Sequence, residues 1–257
     1  HDVEMVPVEA YQDTWQNPYV KDPFRIPLER QLDLLLAADK EMSRVKGVTL
    51  TETSMTFRRI EQFFVSSVGS AIHQIKMSSG AGIVATTFAG SEIQKRSYPN
   101  SFGGQHMLAG YELVESLDLV GNAPRVAEEA VALHSAPQAP GGTKTLILDS
   151  SQLGLQIHES IGHPIELDRV LGMEANFAGM SFLTLEKLNK LRYGSEIVNV
   201  VADARLEHGA GLGTFGYDDE GVPAQCTPII TDGLFTGYLS NRETAVNIGL
   251  KRSGGTM

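Results

Sequence analysis

Residues 48–59 read VTLTETSMTFRR, and the next three runs are EQFFVSSVG (61–69), AIHQIKMSSG (71–80) and AGIVATTFAG (81–90). Thr, Val, Ile and Phe are frequent in all four, and Gly closes each of the last three. β-branched and aromatic side chains fit a pleated, half-buried surface, and Gly and Ser mark strand ends. The spacing predicts short strands in an antiparallel meander. His73 falls in the third run and reads as a strand residue rather than a ligand.

Helices flank this meander. From Pro27, the apolar residues Leu28, Leu32, Leu34, Leu35, Leu36, Met42 and Val45 recur at mostly helical spacing up to Gly47, and Pro27 suits a first helical turn. Residues 1–26 carry Pro and aromatics and read as irregular. After the meander, SYPNSFGGQ (97–105) reads as a loop, and HMLAGYELVESLDL (106–119) and APRVAEEAVALHSA (123–136) read as helices. PQAPGG (137–142) is a linker, because Pro and Gly break any regular element. It divides an N-terminal α+β domain, 1–138, from a second domain, 139–257.

The second domain begins with TKTLILD (143–149), a short apolar strand, and Ser150 or Ser151 can cap the helix that follows. EIVNVVAD (196–203) is a strand, and residues 209–225 form a Gly-rich loop. CTPIITDGLFTGYLS (226–240) is a hairpin with Asp232 and Gly233 in its turn. Asn241 caps a last helix. The expected class is α+β: an antiparallel β meander flanked by helices, then a mixed β-rich domain that carries the helix described next.

That helix spans LQIHESIGHPIELDR, residues 155–169. His158, Glu159 and His163 form H-E-x-x-x-H, one residue longer than the zinc-peptidase pattern H-E-x-x-H. Neutral imidazoles bind Zn²⁺, and a neighbouring carboxylate can do general acid–base work on a water. The spacing opposes this on a regular helix. Residues five apart diverge by about 140° at 3.6 residues per turn, against about 40° for residues four apart. Either a π turn absorbs the extra residue, or the helix ends before His163. Gly162 and Pro164, which flank His163, suit both solutions.

Composition sets the limits. The chain has 257 residues, 42% hydrophobic and 20% charged, as in ordinary globular proteins. No apolar run approaches the roughly 20 residues of a membrane helix. A net charge of −10 argues against nucleic acid, because phosphate binding needs a basic face. Cys226 is the single cysteine and can form no intrachain disulfide. No signal peptide is legible at the start. The first residue is not Met, and the last lies in no element, which suggests a piece of a longer protein.

HESIGHPIELDR (158–169), FAGMSF (177–182), VVADARLEHGAGLGTFGYDDEGVPAQ (200–225) and IITDGLFTGYLSNRETAVNIGL (229–250) together resemble the TldD/PmbA family of metallopeptidases, in its catalytic, TldD-like branch. The resemblance is specific over 143–257 and looser over 27–136. It implies that His158 and His163 bind zinc, that Glu159 is the base, and that the third protein ligand is a downstream cysteine outside this chain. Cys226 is then a small core residue. Glu166 and Asp168 match the family's acidic pair, and Glu166 could complete the ligand set or orient a histidine. The resemblance further implies unfolded or flexible peptides as substrates, and a dimer with itself or with a paralogue that lacks the motif. A cytoplasmic location, without nucleic-acid or membrane partners, completes this reading. The alternative is a non-catalytic, peptide-binding subunit of the same fold. Loss of the motif would mark such a subunit, and here all three residues are present.

Overall fold

The structure is a computed structural model that describes residues 3–100, 103–208 and 210–254, with the side chain of His208 left aside. It forms two compact units that alternate along the chain. The first comprises residues 18–59 and 77–152, and the second 1–17, 60–76 and 153–257.

In the second unit the N-terminal segment is not irregular throughout. β1 (Gln12–Gln16) pairs in parallel with residues 71–75. Val6 exchanges hydrogen bonds with Arg242: its amide donates to the Arg242 carbonyl at 3.0 Å, and Arg242 Nε donates to the Val6 carbonyl at 2.9 Å.

The first unit holds α1 (Leu28–Ser43), which ends before Gly47 at φ 103°, a conformation that side chains rarely adopt. The meander then has two long strands in place of the four short ones expected: β2 (Val48–Val65) and β3 (Ala71–Ala89). Of the glycines read as strand ends, Gly69 and Gly90 do lie in turns, at φ 102° and 61°, whereas Gly80 sits inside β3 and, like Gly82, serves close approach. A Cβ on Gly80 would stand 2.0 Å from His106 Cδ2, and one on Gly82 would stand 2.5 Å from Gly104 Cα. β3 therefore runs unbroken through both and pairs antiparallel with β4 (Glu92–Tyr98) and β5 (Gln105–Met107). The helix expected at 106–119 reduces to α2 (Glu112–Ser116). The next helix starts earlier than expected, as α3 (Leu119–Ala132), with the Asp118 carboxylate accepting from the Gly121 amide at 3.2 Å. Met42, Ile83, Tyr111, Val114, Leu119 and Val126 form the core between α1, β3 and α3, each at most 2% exposed.

Residues 143–149 form no strand. A strand needs a partner edge for its amides, and none pairs with this segment among the described residues. Leu146 and Ile147 are accordingly exposed. α4 (Ser150–Ile157) follows, and its cap is neither serine: Asp149 Oδ1 accepts from the Ser151 amide at 2.8 Å and from the Ser151 hydroxyl at 2.7 Å.

The rest of the second unit contains α5 (Leu167–Val170) and a three-stranded antiparallel sheet of β6 (Val200–Asp203), β7 (Cys226–Thr231) and β8 (Leu234–Phe235). The expected strand at 196–203 survives only in its second half. Asp232 (φ 48°) and Gly233 (φ 77°) make the hairpin turn as expected. α6 (Arg242–Val246) begins with a capping box between Asn241 and Thr244. Ile161, Ile165, Leu167, Leu183, Ile229, Ile230, Phe235 and Tyr238 form the core. The whole is α+β, and among the described residues no helix is long and apolar enough to cross a membrane.

Candidate metal centre

α4 does not continue as a regular helix into the histidine motif. Residues His158–Gly162 form a π turn, closed by the His163 amide donating to the His158 carbonyl, an i→i+5 bond. A 3-10 turn, His163–Ile165, succeeds it, and at Glu166 the backbone becomes extended. The sequence explains the change. Pro164 has no N–H, so the Ser160 carbonyl lacks the donor that an α-helix would supply. The Tyr193 hydroxyl replaces it, donating to Ser160 O at 2.6 Å. Burial pushes the Tyr193 pKa up, which keeps that donor protonated. Gly162 is not the cause, since its φ is −53° and a Cβ there would meet nothing closer than 3.9 Å.

The wide turn brings the histidines to one side. Their ring centroids lie 4.4 Å apart with planes at 78°. One ligand atom from each of His158, Glu159 and His163 lies within 4.8 Å of the other two. No other group of three or more His, Cys, Asp or Glu side chains converges in this way among the described residues. His158 and Glu159 are the exposed members, with side chains 58% and 61% exposed, and Glu159 Oε1 stands 3.9 Å from His158 Nε2.

His163 is held more firmly. Its Nδ1 lies 3.0 Å from Glu166 Oε1, while Arg169 Nε donates to Glu166 Oε2 at 2.9 Å. Arg169 also donates through Nη1 to the Ala178 carbonyl at 2.9 Å. Glu166 therefore stands behind His163 and outside the converging group. Its own backbone is pinned on both sides, by Leu167 N to Leu239 O at 3.0 Å and Leu239 N to Ile165 O at 2.9 Å. Asp168 is turned elsewhere and accepts from the Arg169 amide at 2.8 Å.

The remaining sequence candidates lie apart from this group. His73 stacks on Phe63 at 4.3 Å and places Nε2 2.8 Å from Glu61. Cys226 faces Asp203 across β6 and β7 and is only partly buried. Burial pushes its thiol pKa up, and its bond to Asp203 acts in the same direction, which disfavours the thiolate that metals require. Asp218, in the Gly-rich loop, is 3% exposed, and its Oδ1 accepts from the amides of Glu220 and Val222, both at 2.9 Å. Sequence reasoning had no signal for Tyr193, which is 30 residues or more from the motif and enters through tertiary folding. For Arg169 the signal was its three-residue spacing from Glu166.

The donor set suits a borderline-soft divalent metal: two imidazoles with a carboxylate beside them, and one imidazole backed by a second carboxylate. Comparison with known proteins agrees with that chemistry. Residues 140–257 match the family model described as "PmbA/TldA metallopeptidase C-terminal domain". A protein of Methanothermobacter thermautotrophicus named a metalloprotease is 31% identical over 234 residues, 91% of this chain and 48% of that protein. A Saccharolobus solfataricus protein named a zinc metalloprotease TldD homolog is 29% identical over 120 residues, 47% of this chain and 24% of its own length. Among solved structures, a Thermotoga maritima protein described as a candidate modulator of a DNA gyrase superposes with a TM-score of 0.73 at 18% identity. That superposition covers 99% of this chain and 54% of the other, and it establishes the shared fold alone. The chain spans about half the length of the curated relatives that it matches over most of its own length.

Proposed function

The chain belongs to the TldD/PmbA family, and from that premise we propose that it carries the metal-binding part of a zinc-dependent peptidase. The observation that carries this reading is the convergence of His158, Glu159 and His163 within 4.8 Å at a π turn. His158 and His163 would hold the ion, with a third protein ligand outside the described residues. In the family resemblance that ligand is a cysteine. A zinc ion supplies Lewis acidity and brings the pKa of its water toward about 7.

The chain's own residues do the rest. Glu159 is the base: its exposed carboxylate takes a proton from the attacking water and returns it to the leaving amine nitrogen. Glu166 holds the proton on His163 Nδ1, which leaves Nε2 as the nitrogen with a lone pair for the metal. Substrates are unfolded or flexible peptides, whose backbones can pair with strand edges without side-chain preference. The assembly is a dimer, of this protein with itself or with a paralogue, and the location is cytoplasmic. The domain division proposed with this reading, 1–138 and 139–257, rests on the PQAPGG linker, and the family match begins beside it at residue 140.

The test compares the parent with Glu159→Gln, His158→Ala and His163→Ala for zinc content and for cleavage of an unstructured peptide. Glu159→Gln should retain zinc and lose roughly 10²–10⁴-fold in rate. Each histidine variant should lose zinc as well. Parental cleavage by Glu159→Gln would remove Glu159 from the role of base, and full zinc in both histidine variants would place the metal elsewhere.

A further inference from the structure

The Arg169 side chain is less exposed than either partner beside it. Its side chain is 16% exposed, against 34% for Glu166 and 35% for His163. Its fork makes two fixed contacts: Nε to Glu166 Oε2 at 2.9 Å, and Nη1 to the carbonyl of Ala178, nine residues on, at 2.9 Å. A planar guanidinium bonded at two points cannot rotate without breaking one of them. It therefore fixes the plane of the Glu166 carboxylate, whose other oxygen, Oε1, faces His163 Nδ1 at 3.0 Å.

This arrangement decides the tautomer of His163. Arg169 Nη2 also lies near Nδ1, at 3.4 Å. Two states compete. With a proton on Nδ1, the ring donates to a carboxylate at 3.0 Å, a charge-assisted bond of good length. With the proton on Nε2, the Nδ1 lone pair would face the carboxylate oxygen, and among the described residues its donor would be Arg169 at 3.4 Å, too long for a strong bond. The first state wins, provided the carboxylate stays in place.

We propose that Arg169 is a positioning residue for the metal site: through Glu166 it locks His163 as the Nδ1–H tautomer, and through Ala178 it ties loop 172–180 to the same lock. The inference rests on the reading of His163 as a ligand for its benefit to zinc. The tautomer lock itself does not depend on zinc.

Two variants and two readouts test it. Side-chain ¹⁵N NMR of metal-free protein, above the pH at which histidine is charged, should show the parent His163 as the Nδ1–H form. Arg169→Gln loses both charged contacts, and Glu166→Gln keeps the Arg169–Ala178 tie but loses the charged acceptor. Both should move His163 toward the mixed tautomer population of an unconstrained imidazole. Both should also weaken zinc binding by roughly 10–100-fold, as loss of an outer hydrogen-bonding partner commonly does. Should Arg169→Gln fail to fold, Glu166→Gln and the parent carry both readouts. A His163 that keeps its Nδ1 proton in both folded variants, or in Glu166→Gln alone where Arg169→Gln does not fold, overturns the proposal. So does a parent His163 that is not the Nδ1–H form. A parent that shows the lock but binds no zinc through these histidines would instead sink the function proposed above and leave the lock standing.

Discussion

Asp203 shows how one carboxylate couples the fold to pH. Arg205 donates through Nε to Asp203 Oδ1 at 2.9 Å and through Nη2 to Oδ2 at 3.0 Å, and the Arg205 amide adds a third bond at 3.0 Å. The side-chain bond from Arg205 holds the carboxyl well below the usual carboxylate range. A depressed folded pKa means that folding favours the ionised form. The resulting stability is fully present above the unfolded value of about 3.9 and is lost as pH falls through the folded value. Asp203→Asn should therefore unfold at lower urea than the parent at neutral pH, with the gap shrinking below about pH 4. Urea titrations at several pH values check this, and a gap that does not change with pH would exclude the ion pair as its source.

The π turn is the element on which the site depends, and Pro164 is the residue that excludes its α-helical alternative. Pro164→Ala would restore an amide able to donate to Ser160 O, in competition with the Tyr193 hydroxyl. A turn that relaxes to α geometry rotates His163 away from His158 by about 100°, one residue's step. Pro164→Ala should thus weaken zinc binding while leaving the melting temperature within a few degrees of the parent, since the change trades one hydrogen bond for another of about 1 kcal/mol. Calorimetric zinc titration and thermal melts measure the two effects separately. Zinc affinity equal to the parent would show that tertiary packing alone holds the turn. Tyr193 and the core residues Ile161 and Ile165 are the contacts that would do so.

At the scale of the whole molecule, exposed apolar residues on α4 and in loop 172–180 need cover. α4 buries none of its residues, and Leu153, Leu155 and Ile157 are all more than a third exposed. Phe177, in the loop that Arg169 anchors, is 93% exposed. Scattered apolar exposure is ordinary, but a contiguous helix without a buried face marks an interaction surface. The proposed dimer should therefore appear in light scattering at micromolar concentration as twice the monomer mass. A monomer mass throughout that range would count against it.

What the sequence determined by itself was local or periodic. The spacing of Leu32, Leu36 and Met42 gave α1, Asp232–Gly233 gave the hairpin turn, and Asn241 gave the cap of α6, because each depends on neighbours within one turn. The motif His158–Glu159–His163 was also legible, together with the requirement that a regular helix break there, since the wheel angle follows from spacing alone. Tertiary structure decided the rest. Gly80 looked like a strand end, but it admits His106, and Gly82 beside it admits Gly104, neighbours that only the folded sheet brings near. Residues 143–149 have the composition of a strand and no edge to join. The choice between a π turn and a helix end was open in the sequence; the fold takes both in succession, a π turn and then a 3-10 turn. A tyrosine about 30 residues away supplies the hydrogen bond that Pro164 cannot, and no local pattern encodes a donor brought in by the packing of distant segments.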